Sequence, residues 1–227
     1  MNTRPLSKSI NKYVLISSRR SSRSVYLHHG PRIEGLKRDP KVAYLNPQGT
    51  EYALNEANIS QITSYLGSEY QIPQDIALQC ITHKSFANGI KPYNEKLAAM
   101  GSKLLNLALV KYVIHKNAAA DSENPTSING KNLSVLGSRW SRELASPEAA
   151  GYLARAESLN KTMFWTSRNP SLKFDASGEL KVSSRLLYSL VGAINLYHGK
   201  AQAEKFIREN LIEGLEALAV QLVAAKK

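Results

Sequence analysis

One stretch constrains this chain more than any other. Over residues 94–115, Leu97, Met100, Leu104, Leu105, Ala108 and Tyr112 recur at three- and four-residue spacing. That is the period of an α-helix, not of a strand. Leu107, Leu109 and Val113 widen the stripe, so this helix is expected to be buried on most sides. Two more apolar stretches share its character. Leu186 to Leu196 is one; the other is 201–225, with Ile207, Leu211, Leu215, Leu218 and Leu222 along one stripe. Three such helices need a shared core, and a 43% hydrophobic content supplies one. No run of 18 apolar residues occurs, so no membrane span is expected. No strand pattern and no internal repeat stand out, and the expected class is all-α.

Shorter elements precede and separate these helices. Ile59, Ile62, Tyr65 and Leu66 predict a short helix ending near Gly67. Pro73 opens another through Ile76 and Ile81, since proline suits a helix start. Ser146-Pro147-Glu148 is a strong helix start, with a capping serine, a first-turn proline and an acid near the positive dipole end. Pro125 and Gly130 mark residues 117–131 as an exposed loop, and Asn169-Pro170 through Gly178 as a second. Pro40, Pro47 and Gly49 leave residues 34–57 as an irregular connector. The single cysteine, Cys80, excludes an intramolecular disulfide and a cysteine-rich zinc site.

Charge is distributed unevenly. The formal net charge is +12, which favours a polyanionic partner. Arg4, Lys8, Lys12, Arg19, Arg20, Arg23 and Arg32 all precede the first acid, Glu34, among many serines. On a helical wheel over 4–19, Leu6, Ile10, Tyr13 and Val14 face away from Arg4, Lys8, Lys12 and Arg19. This is the composition of a mitochondrial transit peptide, with cleavage expected between Arg23 and Ile33. A basic arm that binds RNA in place fits the same residues. Segment 1–33 is therefore read as targeting segment or basic arm, 34–57 as connector and 58–225 as the folded domain.

Three segments carry a resemblance. Ile81-Thr82-His83-Lys84-Ser85-Phe86 is followed by Asn94-Glu95-Lys96-Leu97-Ala98-Ala99-Met100-Gly101-Ser102, and then by Leu190-Val191-Gly192-Ala193-Ile194. Gly199 and Ala203-Glu204-Lys205-Phe206-Ile207 close the last of them. In order and spacing these resemble the ribonuclease III domain, over roughly 58–220. The helix-interior glycines Gly101 and Gly192 cost helix stability, which points to close approach of two helices.

The resemblance implies a reaction and then withholds its reagents. That family cleaves RNA with divalent metal held by four carboxylates, because in-line attack on a phosphodiester builds negative charge that the cation neutralises. One pair lies at i, i+4 on the signature helix and the other at i, i+3 on a later helix, each on one helix face. The matching positions here are Ala98 and Ser102, then Arg185 and Tyr188. No Asp or Glu lies between Lys181 and Gly199, so a shifted alignment recovers none. Glu95 alone cannot build the site. No catalytic residue, metal or cofactor is expected, and the fold is expected without the activity.

Lys84, Arg139, Arg142 and Arg185 are the candidate phosphate contacts. Arg139-Trp140-Ser141-Arg142 sets an aromatic among cations, although Trp140 is expected to pack in the core. His83 is expected to be structural rather than a general base. The resemblance narrows to small ribonuclease III-like proteins of fungal mitochondrial large ribosomal subunits. It implies a matrix location on the ribosome and a structural role. The implied partners are mitochondrial rRNA, other large-subunit proteins and a second ribonuclease III-like protein in a heterodimer. The apolar helix 94–113 is the expected pairing face, and a charge at Leu105 or Leu109 is expected to break pairing or the fold. A processing nuclease with relocated ligands and an assembly factor remain the alternatives.

Overall fold

The computed structural model describes residues 44–117, 127–167 and 171–226, all within one unit spanning Asp39–Lys227. The targeting segment, the first part of the connector and the tips of both expected loops lie outside the described residues.

Among the described residues seven α-helices follow in order: α1 Glu56–Leu66, α2 Gln74–Ile81, α3 Glu95–Asn117, α4 Arg139–Leu144, α5 Pro147–Ala156, α6 Glu179–Phe206 and α7 Ile212–Ala225. No strand occurs among the described residues, only isolated bridges. The all-α class holds. Local chemistry sets the helix ends. Asn55 caps α1 by accepting the Asn58 N–H at 2.9 Å, and Ser146 caps α5 by accepting the Ala149 N–H at 3.1 Å. Pro73 stands just outside α2, as its cap residue, with extended backbone.

α6 is the central helix and packs on α2, α3 and α5. Its Leu186, Leu187, Leu190, Val191, Ala193 and Ile194 are fully buried, which explains why this stretch is so apolar. Gly199, at φ 81°, bends this helix before Lys200. Beyond the bend the helical chain continues through a wide turn at Ile207–Leu211 into α7, so the stretch expected as one last helix is helical throughout.

α3 crosses α6 backbone to backbone. A Cβ at Gly101 would sit 1.9 Å from the Tyr188 carbonyl oxygen, and one at Gly192 would sit 2.1 Å from that of Leu97. Only glycine fits on either side of that crossing, as the sequence led us to expect.

The face that α3 buries differs from the expected one. Its buried seam runs Leu97, Gly101, Leu105, Leu109 and Val113, at i, i+4 steps from the glycine. Met100, Leu104, Ala108 and Tyr112 are only half-buried. Leu107 and Val110 are outside, 45% and 39% exposed. The expectation of burial on most sides is thus corrected: the close contact at Gly101 fixes the helix's rotation, and the surplus apolar side chains are left facing out. α3 is long and apolar enough to cross a membrane by length and composition alone, but its seam belongs to the core of this domain. Its far end is tied to α7, where Tyr112 donates to Glu216 at 2.6 Å and Lys116 pairs with the same carboxylate.

The described part of the connector is not loose. Tyr52 packs its ring on Phe86 and Phe164 at 5.4 and 5.1 Å, and Lys91 lies over the rings of Tyr44 and Tyr52.

Candidate nucleic-acid interface

The segment between α2 and α3 is clamped from two directions. His83 N–H donates to the Phe164 carbonyl at 2.9 Å, and Phe164 N–H to that of Ile81 at 2.9 Å. From the other side, Asn94 at the entrance to α3 donates its backbone N–H to Thr82 and its side-chain amide to Cys80, at 3.0 and 2.8 Å. Asn94 is 1% exposed, so these bonds form in a dry setting where an unmade one is costly. The motif asparagine is thus a fastener for the motif histidine.

That clamp presents His83 to Arg185 of α6. An Arg185 Nη1 lies 3.1 Å from His83 Nε2. A guanidinium only donates, so Nε2 is the acceptor of that contact. Nδ1 lies 2.9 Å from Ser85 Oγ and 3.2 Å from the Ser85 backbone nitrogen, whose N–H points at it, and Ser85 Oγ accepts the Thr166 N–H at 3.0 Å. Burial first, then the positive charges of Arg185 and Lys84, push the imidazole down to about 4. At neutral pH His83 is an uncharged acceptor, in keeping with a structural role.

Lys84 and Glu95 complete the cluster. They pair at 2.7 Å with both side chains well exposed, and that bond holds the Glu95 carboxyl below its usual range. His83 has no acidic neighbour nearby along the chain; folding brings Glu95 close enough to act on it.

The four positions matching the family's carboxylates lie on the two crossing helices. Ala98 is buried at 6% exposure and offers no donor. Ser102 donates its hydroxyl to the Ala99 carbonyl at 3.1 Å. Burial pushes the Tyr188 phenol up to about 12, so it stays protonated. Arg185 places a permanent positive charge there. A hard divalent cation wants several anionic or carbonyl oxygens, and this donor set does not fit one. Among the described residues no group of three His, Cys, Asp or Glu side chains could hold a metal ion.

The four candidate cations separate into two places. Lys84 and Arg185 share the cluster just described. Arg139 and Arg142 lie on α4. Arg139 Nη2 donates to the Lys226 carbonyl at 2.6 Å, while the Lys226 ammonium pairs with Glu143 and Glu148 at 3.0 and 2.5 Å. Arg139 therefore helps fasten the last turn of the described chain, and Arg142 is exposed. Trp140 is half-buried against the core, as expected for packing. Sequence reasoning missed Ser85 and Thr166 as supports of the histidine; the serine's place two residues after it was the available signal.

Comparisons with known proteins place this geometry. Residues 73–215 match the model of a family described as ribonuclease-III-like. Large ribosomal subunit protein mL57 of Neurospora crassa is 24% identical over 158 residues, covering 66% of this chain and 59% of that protein's length. Ribonuclease 3 of Protochlamydia amoebophila is 25% identical over 182 residues, covering 79% of this chain and 67% of that one. A solved nuclease domain of ribonuclease III from Campylobacter jejuni aligns with a TM-score of 0.47 at 23% identity, over 70% of this chain and 96% of the domain.

Proposed function

This chain belongs to the ribonuclease-III-like family, and we propose that it is a non-catalytic, structural component of the mitochondrial large ribosomal subunit that binds ribosomal RNA. The observation that carries the reading is Arg185, a fixed cation where the family's chemistry calls for a metal-binding carboxylate. The similarity to a protein named as a large ribosomal subunit component supports the ribosomal setting. The acid-free N-terminal segment supports the mitochondrial one. RNA binding through Lys84, Arg185, Arg139 and Arg142 is backbone-directed, hence salt-sensitive and poor in sequence readout. Pairing with a second ribonuclease III-like protein belongs to the same proposal, with Leu107 and Val110 as the exposed apolar residues of α3 it would cover.

The test is sedimentation of mitochondrial lysate on a sucrose gradient, with subunits separated at low Mg²⁺. The chain is expected to travel stoichiometrically with the large subunit. Migration near the top, or only with immature particles, overturns the ribosomal reading and favours an assembly role. The similarity to Ribonuclease 3 favours a second reading, a processing nuclease. Mg²⁺-dependent cleavage of duplex RNA by the purified chain would establish it; intact duplex after prolonged incubation counts against it.

A further inference from the structure

We propose that Arg185, held by His83 and flanked by Lys84, is a seat for one phosphate of an RNA backbone, a guanidinium standing where the family's fold would otherwise place a metal. This rests on the RNA-binding reading above and names the chemistry of one contact within it.

The argument begins with a missing partner. Among the described residues no carboxylate pairs with Arg185. Glu95, the acid nearest the cluster in chemistry, is engaged by Lys84 at 2.7 Å. Among the described residues, Arg185 has His83 as its hydrogen-bond partner, through Nη1. A guanidinium carries five N–H donors in a planar fork, so most of its donor capacity is unspent. It is also half-buried. A partly desolvated cation without a counter-ion is a cost that an aliphatic side chain would avoid.

The second element is rigidity. His83 accepts from Arg185 with one nitrogen and is bonded to Ser85 through the other, and Ser85 is held in turn by the Thr166 N–H. The His83 backbone is fixed to Phe164. The arginine is thus braced by a chain of bonds running through two other segments, which lowers the entropic cost of using it. A neutral brace also cancels none of its charge; a carboxylate in the same place would have done so.

The third element is the match of shape and charge. Lys84 and Arg185 against Glu95 leave the cluster net positive. A fork of parallel N–H groups fits the two unesterified oxygens of a phosphodiester. The Lys84–Glu95 pair is exposed, so its ammonium is free to turn to a second oxygen at little cost.

Free phosphate presents the same oxygens, so the experiment has two arms. The full chain is titrated with a duplex RNA and, separately, with inorganic phosphate, while the His83 ring resonances are followed by NMR. Duplex affinity is measured across salt for the native chain, Arg185→Gln and Arg185→Lys, with circular dichroism as the folding control. The expected result is movement of the His83 resonances with duplex and, at millimolar concentration, with phosphate. Arg185→Gln is expected to bind duplex about tenfold more weakly with a salt slope reduced by about one. Arg185→Lys restores the slope but only part of the affinity, because it lacks the fork.

Duplex that binds while His83 stays unmoved overturns the seat and leaves the RNA-binding reading standing, as does equal affinity and slope in folded Arg185→Gln. If Arg185→Gln fails to fold, the His83 response of the native chain decides. If the native chain binds no duplex, the RNA-binding reading fails, and the RNA-backbone seat fails with it; a His83 response to phosphate would then mark a site for free phosphate only.

Discussion

Two regions of the same helix pair differ sharply. At the crossing of α3 and α6, Gly101 and Gly192 bring the backbones into direct contact, and nothing larger fits. Beside it, positions that in the family hold metal ligands carry Ala98, Ser102, Arg185 and Tyr188. The crossing is fixed by sterics, which accept one residue type. The neighbouring surface is governed by charge and hydrogen bonding, where a new cation can find a new partner in His83. Scaffold and chemistry are therefore separable even when they share a turn of helix.

Breaking the crossing should have the largest effect. Gly101→Ala or Gly192→Ala pushes a methyl into backbone carbonyls that have no rotamer to yield. A loss of about 3 kcal/mol or more is expected in urea unfolding. A change within about 0.5 kcal/mol would mean that the helices separate cheaply and that the comparison is misdrawn.

A charge on α3 sharpens the contrast between its two faces. Leu105 and Leu109 are each 2% exposed and lie in the chain's own core, so a charge there strikes the fold. Leu105→Asp should cost about 3 kcal/mol of stability. Leu107→Asp, on the exposed face, should change it by about 0.5 kcal/mol or less. If it also abolishes association with a second ribonuclease III-like chain while melting stays unchanged, the outer face is the pairing surface.

The smallest effect probes the polar region. Unfolded, the His83 imidazole protonates near its ordinary 6.5; folded, it stays neutral down to about 4. The unfolded state therefore takes up the proton first, and stability falls as pH drops from 6.5 toward 4. Solvent screening at this half-buried ring limits the loss to about 1 kcal/mol. His83→Gln, whose amide oxygen can still accept from Arg185, should flatten that part of the pH profile. An unchanged slope would show that other groups set it.

Much of the fold was legible because its signals are local. The period of α3, the Ser146 cap of α5 and the two tight glycines each follow from a few neighbouring residues. The absence of carboxylates at 98, 102, 185 and 188 was equally readable once the motifs set the register. The polar cluster was harder. Lys84 and Arg185 stand in one set with Arg139 and Arg142, and nothing in their sequence neighbourhoods marked the first two as companions. Nor did anything set them apart from Arg139, which spends a donor on the Lys226 carbonyl.

By itself the sequence determined the helical class, the places where helices must touch and which acids are missing, since each depends on spacing along the chain. The tertiary structure alone decided which face of α3 is buried, because one backbone contact at Gly101 outranks the richer apolar stripe. It also decided that Arg185 meets a neutral histidine 102 residues away. Hydrogen bonds of that reach are made by packing, and no local period announces them.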